Sequence, residues 1–173
     1  MKFSMRDLQV RADNLMHDDF LSGGPRVSDV NGFALFPGFF DVHVHFREPG
    51  FSYKETILTG SRAAAHGGFT GVGTMPNLDP VPDSLEHLKL EQDIIDRDAV
   101  IDCYPYASLT VGENGEEVVP IEELAPFVFG YSDDGKGIQT AEMMKEIMER
   151  AASVGKIVCA HCEINKFSNK GYI

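Results

Sequence analysis

The chain has 173 residues, with 27 acidic against 15 basic side chains and a formal net charge of −12, which opposes nonspecific binding to nucleic acid or to an anionic membrane surface. No apolar run approaches the ~20 residues of a membrane span, and the N-terminus carries no signal-peptide pattern. The three cysteines fit a reducing cytoplasm better than a disulfide framework, and the length allows one ordinary domain with a sizeable core.

Residues 1 to 32 alternate only weakly, as in Phe3, Met5, Leu8 and Val10, and contain Gly23-Gly24-Pro25. The apolar run Phe33-Ala34-Leu35-Phe36-Pro37-Gly38-Phe39-Phe40 then leads into a strand over about 36 to 45, and Pro49-Gly50 closes that segment. Ser52 with Glu55 three residues on makes a capping-box pattern. The helix behind it runs over Ile57, Leu58, Ser61, Ala64 and Ala65 and stops at Gly67-Gly68. Thr70 to Met75 reads as a second strand, with Pro76-Asn77-Leu78-Asp79-Pro80 as the loop at its carboxyl end. Asp83 or Ser84 caps a second helix that offers Leu85, Leu88, Leu90, Ile94 and Ile95 for burial.

Ala99 to Ala107 reads as a third strand, followed by a polar loop over 109 to 119. Pro120 opens a short helix over Ile121 to Leu124. Pro126 to Tyr131 is the fourth strand, and Asp133-Asp134-Gly135-Lys136-Gly137 the turn after it. Thr140 caps a helix whose Met143, Met144, Ile147, Met148, Ala151 and Val154 recur at helical spacing, up to Gly155. Its methionine stripe reads as a face buried on the sheet rather than a groove for a partner. Lys156 to His161 is the fifth strand. Regular alternation of strand and helix argues for a parallel α/β architecture.

Strand geometry defines the candidate site. Side chains alternate, so Asp41, His43, His45 and Arg47 share one face while Val42, Val44 and Phe46 take the other. A lone histidine on a strand is more often a half-buried hydrogen-bonded residue than a ligand. Two of them with an acid and a cation on the same face point to a metal site beside an anion site. Asn77, Asp134 and His161 also fall at carboxyl ends of strands, where open sheets and barrels build their sites. His161 alone would read as a core histidine. With His43, His45 and one acid it completes an imidazole and carboxylate set suited to Zn²⁺. Cys159 and Cys162 would point to opposite faces of a strand, and no second pair exists, which argues against a four-cysteine zinc site. Of the adjacent acids Asp133 and Asp134 only one can point into the site, and acids before glycine are otherwise turn residues. Arg47 is either an ion-pair partner, for instance of Glu48, or a planar grip on a substrate carboxylate. Asn77 is either a turn residue or a second hydrogen bond to that same carboxylate.

Pro37-Gly38-Phe39-Phe40-Asp41-Val42-His43-Val44-His45 resembles the first barrel strand of the amidohydrolase superfamily. Phe46-Arg47-Glu48-Pro49-Gly50-Phe51 is similar to the continuation in the dihydroorotases of the longer bacterial type. The resemblance continues through Lys54-Glu55-Thr56, Gly67-Gly68-Phe69-Thr70, Met75-Pro76-Asn77, Asp133-Asp134-Gly135 and Ala160-His161-Cys162-Glu163. It implies a (β/α)8 TIM barrel of the metal-dependent amidohydrolase type. Residues 33–173 would be its N-terminal part, about five βα units, and residues 1–32 a remnant of the small β-rich flanking domain. A closed barrel takes about 250 residues, so the chain is expected to be the first part of a longer enzyme.

The resemblance also implies two Zn²⁺ per active site, held by His43, His45, Asp134 and His161, with Asp134 bridging. Many superfamily members place a carboxylated lysine there, and the nearby Lys136 keeps that alternative open. It puts His45, Arg47 and Asn77 at the substrate, the last two on the carboxylate of dihydroorotate, with Asp41 orienting the site from behind the ligands. The implied reaction is the reversible hydrolysis of (S)-dihydroorotate to N-carbamoyl-L-aspartate in pyrimidine biosynthesis, with water activated by zinc. The implied protein is a cytoplasmic homo-oligomer that acts on small molecules, with aspartate carbamoyltransferase as a potential partner. The family's further histidine and catalytic aspartate lie on later strands. No catalytic residue is therefore assigned before Ile173, and the 173-residue chain alone is expected to be inactive. The competing readings are a hydantoinase or allantoinase on the same scaffold, which carries a lysine where Asp134 stands, a non-catalytic dihydroorotase-like subunit, and an inactive fragment.

Overall fold

A computed structural model describes residues 28–30, 33–35 and 37–164. The chain divides into two compact units, Met1–Gly38 and Phe39–Ile173. In the first, β1 (Ser28–Val30) pairs antiparallel with β2 (Phe33–Leu35), with Val30 opposite Phe33. Asn31-Gly32 lies between them in sequence, the dipeptide most favoured between hairpin strands. Phe33–Leu35 is therefore hairpin, not the lead-in to a strand starting near 36. The reading of residues 1–32 as a β-rich remnant falls almost wholly outside the described residues.

In the second unit, β3 (Phe39–Val44), β4 (Phe69–Thr74), β5 (Asp102–Ala107), β6 (Gly130–Tyr131) and β7 (Ile157–Val158) form one parallel sheet in that order. A doubly wound sheet reverses direction at a switch point. Here every strand pairs with its neighbours in sequence, which is the winding that builds a barrel. The strands β6 and β7 are shorter than the sequence suggests. Ala125–Phe127 is a 3₁₀ turn with Pro126 in its first turn, where the missing N–H is not needed. Single ladder-like bonds extend both strands, Phe129 N to Pro105 O at 2.7 Å and Cys159 N to Tyr131 O at 2.9 Å.

The helix α1 (Ile57–His66) starts four residues later than a cap at Ser52 would place it. Thr56 is the cap: its Oγ1 accepts from Thr59 N at 3.1 Å, and Thr59 Oγ1 accepts from Thr56 N at 3.3 Å. Ser52 Oγ instead donates to Glu48 Oε1, while Glu48 Oε2 accepts from Ile57 N at the helix start. The next helix, α2 (Leu85–Asp98), is capped by Ser84. It buries Leu88, Glu91 and Ile95 and leaves Leu85 and Leu90 exposed, against the expectation for those two leucines. The one-turn α3 (Ile121–Leu124) follows Pro120, and α4 (Ala141–Ser153) is capped by Thr140. On α4 it is Ile147 and Ala151 that are buried. Met143 and Met144 pack at the edge of the core, and Met148 is exposed.

The helices cover one face of the sheet with two apolar clusters. Phe46, Ile57, Val72, Ile95 and Cys103 form one. Here α1 comes so close that a Cβ on Gly60 would sit 2.4 Å from the Phe46 ring. The other is built on Leu109, Val119, Ile121, Leu124, Tyr131 and Ile147. The opposite face carries the rings of Phe40, Tyr104, Tyr106 and Phe129, with neighbouring centroids 5.3–6.2 Å apart. Gly71 and Gly73 make room for them, since added Cβ atoms would meet Phe40 and Tyr106 at 2.8 and 2.9 Å. No described helix is long and apolar enough to cross a membrane.

Candidate metal centre

The parallel sheet brings three expected ligands together at the carboxyl ends of its strands. His43 lies one residue before the end of β3, His45 just beyond it, and Asp134 in the turn after β6. Their ligand atoms all lie within 4.8 Å of one another. His43 Nε2 and His45 Nε2 are 3.2 Å apart, and they stand 3.9 and 3.4 Å from Asp134 Oδ1 and Oδ2. Donors about 2.0–2.2 Å from a tetrahedral ion are separated by roughly 3.3–3.6 Å. Two of the three separations are close to that spacing, and the donor chemistry of two imidazoles and a carboxylate suits Zn²⁺.

His161 stands at the margin of this trio. Its Nδ1 is 4.0 Å from Asp134 Oδ1, while its Nε2 contacts Glu163 Oε2 at 3.0 Å. Its backbone is held by Gly137 (φ +68), where a Cβ would come within 2.6 Å of His161 O and 2.5 Å of Glu163 O. Adjacent to Asp134, Asp133 turns the other way. It accepts from Leu109 N at 2.6 Å, from Thr110 N at 3.1 Å and from the Thr110 hydroxyl. Burial raises its carboxyl above the usual range, and these hydrogen bonds oppose the rise.

Strict alternation along the first strand does not hold. Asp41 is in register with Val72 and Val44 with Thr74, so three steps on β3 match two on β4, and a bulge intervenes. Asp41 is therefore aligned with a residue of the helix-side cluster, and its Oδ1 accepts from His43 N at 3.0 Å. It supports the bulge that presents His43. Val42, expected under the helices, is 55% exposed.

Arg47 has left the strand, in the left-handed region with φ +59. Its Nη1 donates to Asn77 O at 3.4 Å. Glu48 is bonded to Ser52 and to the start of α1, so the Arg47–Glu48 ion pair does not form. Asn77 Nδ2 donates to Asp134 O at 2.6 Å. The basicity of His45 is lowered by burial first, then by the Arg47 charge and by His43. Asp134 and a hydrogen-bond contact with the Asn77 side chain oppose this. That contact falls short of full hydrogen-bond geometry, because His45 Nδ1 and Asn77 Oδ1 are both buried without a partner at bonding distance.

One residue at the site escaped the sequence reading. Glu113, in the loop after β5, is buried with φ +54, and its Oε1 lacks a partner. Burial and the neighbouring Asp133 push it up to about 7, against the pull of Lys136 and Arg47. Its only sequence signal was its place in a polar loop at the carboxyl end of a strand.

Comparison with known proteins decides the family. The model of the dihydro-orotase-like family matches residues 32–173. The chain belongs to this family. It is 44% identical to a dihydroorotase of Fusobacterium nucleatum over 172 residues, covering 98% of this chain and 40% of that one. It is 52% identical to a dihydroorotase of Staphylococcus aureus over 145 residues, covering 83% of this chain and 34% of the relative. The chain thus spans well under half the length of these curated relatives. Among solved structures it superposes on the L-hydantoinase (dihydropyrimidinase) of Arthrobacter aurescens with a TM-score of 0.61 at 21% identity, covering 70% of this chain and 28% of that one. It also superposes on the dihydroorotase of Campylobacter jejuni with a TM-score of 0.52 at 22% identity, covering 74% and 39%. These likenesses place the five-stranded sheet of this family member in a TIM-barrel fold, of which it forms a part.

Proposed function

We propose that the protein is a zinc-dependent cyclic amidohydrolase that interconverts (S)-dihydroorotate and N-carbamoyl-L-aspartate in de novo pyrimidine biosynthesis. The observation that carries this reading is the convergence of His43, His45 and Asp134 in a chain of the dihydro-orotase-like family. In this reading His43, His45, Asp134 and His161 would hold two Zn²⁺ ions. Bound zinc supplies Lewis-acid polarisation of a carbonyl and acidifies water.

The chain's own residues prepare the rest. Burial and the Arg47 charge lower the basicity of His45, which favours the neutral imidazole, the form that offers a lone pair. Arg47 supplies a planar cation beside the imidazoles, fitted to the substrate carboxylate, and His45 and Asn77 line the same place. Residues 1–32 are assigned to a β-rich flanking domain, supported by the β1–β2 hairpin within the separate unit Met1–Gly38. A cytoplasmic location agrees with the free state of Cys103, Cys159 and Cys162. Homo-oligomerisation and association with aspartate carbamoyltransferase rest on the sequence resemblance.

The test is metal analysis of the purified full-length protein, followed by assays with dihydroorotate, hydantoin and allantoin. About two zinc ions per chain and turnover of dihydroorotate alone are expected. Turnover of hydantoin in place of dihydroorotate would overturn the substrate assignment, and a metal-free active enzyme the zinc assignment.

A further inference from the structure

Asn77 sits in the loop after β4, between His45 and the turn that carries Asp134. Its Nδ2 donates to the Asp134 carbonyl oxygen at 2.6 Å. A carbonyl oxygen only accepts, so this bond fixes which way the amide faces. Oδ1 consequently points away from Asp134. It is buried and has no partner, and the same holds for Nδ1 of His45. The two side chains lie close enough for Asn77 to raise the basicity of His45 against its burial, and an amide oxygen needs a donor. The other ring nitrogen of His45, Nε2, is the one that faces His43 and Asp134.

We propose that Asn77 is a positioning residue that ties two metal ligands together, accepting from His45 Nδ1–H through Oδ1 while Nδ2 holds the backbone of Asp134. The proton is thereby kept on Nδ1, and the lone pair of Nε2 is directed into the trio. Metal-bound histidines commonly need such a partner on the second nitrogen. One amide hydrogen of Asn77 is left for any other ligand. The proposal rests on the metal reading above for its purpose, but the proposed link needs no metal to form.

The experiment uses the full-length protein, wild type and with Asn77→Ala and Asn77→Asp. Imidazole ¹⁵N spectra of the metal-free protein report the His45 tautomer, and competition with a chromogenic chelator reports Co²⁺ affinity. Wild type and Asn77→Asp, which keeps an acceptor, are expected to show the Nδ1–H tautomer. Asn77→Ala is expected to lose it and to bind Co²⁺ about 10–100-fold more weakly. An Nε2–H tautomer in the wild type overturns the proposal without any variant. So does an Asn77→Ala protein with unchanged tautomer and Co²⁺ affinity in which only KM for dihydroorotate rises. A wild type with the Nδ1–H tautomer that binds no Co²⁺ would support the link and refute the metal reading.

Discussion

A buried carboxylate that accepts three hydrogen bonds has little capacity left for an ion, and this separates Asp133 from Asp134. Asp133 closes the loop after β5 through Leu109 N, Thr110 N and the Thr110 hydroxyl, whereas Asp134 faces His43 and His45. Asp133→Ala should therefore destabilise the metal-free protein by roughly 1–3 kcal/mol for each orphaned buried donor. Asp134→Asn should leave that stability within about 0.5 kcal/mol and abolish tight Zn²⁺ binding. Urea unfolding and a zinc titration of both variants check this, and equal losses of stability would contradict it. Arg47 gives a second residue-scale prediction. Its guanidinium reaches the Asn77 carbonyl and lies beside His45. Arg47→Lys should weaken binding of dihydroorotate by roughly 1.5–3 kcal/mol, as expected for a charged hydrogen bond made without the planar fork. Unchanged steady-state kinetics would remove Arg47 from the substrate. Counting strands put His43, His45 and the Asp133-Asp134 pair at the same end of the sheet, and the family resemblance chose Asp134 between the two acids. Glu113 was not legible in the sequence, since its left-handed backbone and burial depend on contacts that no local pattern records.

Elements were read best where a single cap or periodicity decides them, as with Thr140 on α4, and on α2 Ser84 proves to be the cap of the two candidates Asp83 and Ser84. The reading failed where one element answers to another. Alternation put Asp41 beside the histidines, but the bulge needed to match β3 to β4 breaks the period of two. On α2, apolarity nominated Leu85 and Leu90, yet the helix buries Glu91, whose Oε1 accepts from the Thr74 hydroxyl at 2.7 Å. An acid is invisible to a search for a hydrophobic face. Burial pushes the Glu91 carboxyl up to about 8, which the Thr74 hydrogen bond only partly offsets. Because the folded-state value lies above that of an unfolded glutamate, its contribution is fully present below about pH 4.5. It is lost as pH rises toward about 8, since the folded state binds the extra proton across that window. Glu91→Gln keeps an acceptor for Thr74 and removes the ionisation. The wild type should lose stability between pH 5 and pH 8 on the order of a few kcal/mol more than the variant. Parallel curves of unfolding free energy against pH would rule out Glu91 as the source.

For the whole second unit, the order β3-β4-β5-β6-β7 leaves β3 and β7 each paired on one side only among the described residues. The helices seal one face of the sheet with the two apolar clusters. The other face exposes Phe40 and Tyr104 at 43% each, with Val42 beside them at 55%. Unpaired strand edges template further pairing, and a contiguous apolar surface favours association. A parallel sheet of five strands also cannot close into a barrel that needs eight. The polypeptide of residues 1–173, prepared by itself, should therefore self-associate and fail to hydrolyse dihydroorotate even with added Zn²⁺. Replacing Phe40 and Tyr104 with serine should reduce that self-association, measured by light scattering. The same pair of changes in the full-length protein should lower stability by about 3–5 kcal/mol for each ring that becomes buried there. Those opposite effects distinguish a face that is covered in the complete molecule from one that is merely sticky. Steady turnover by a monomeric sample of residues 1–173 would show that the open sheet is already a competent enzyme and that this account of its exposed face is mistaken.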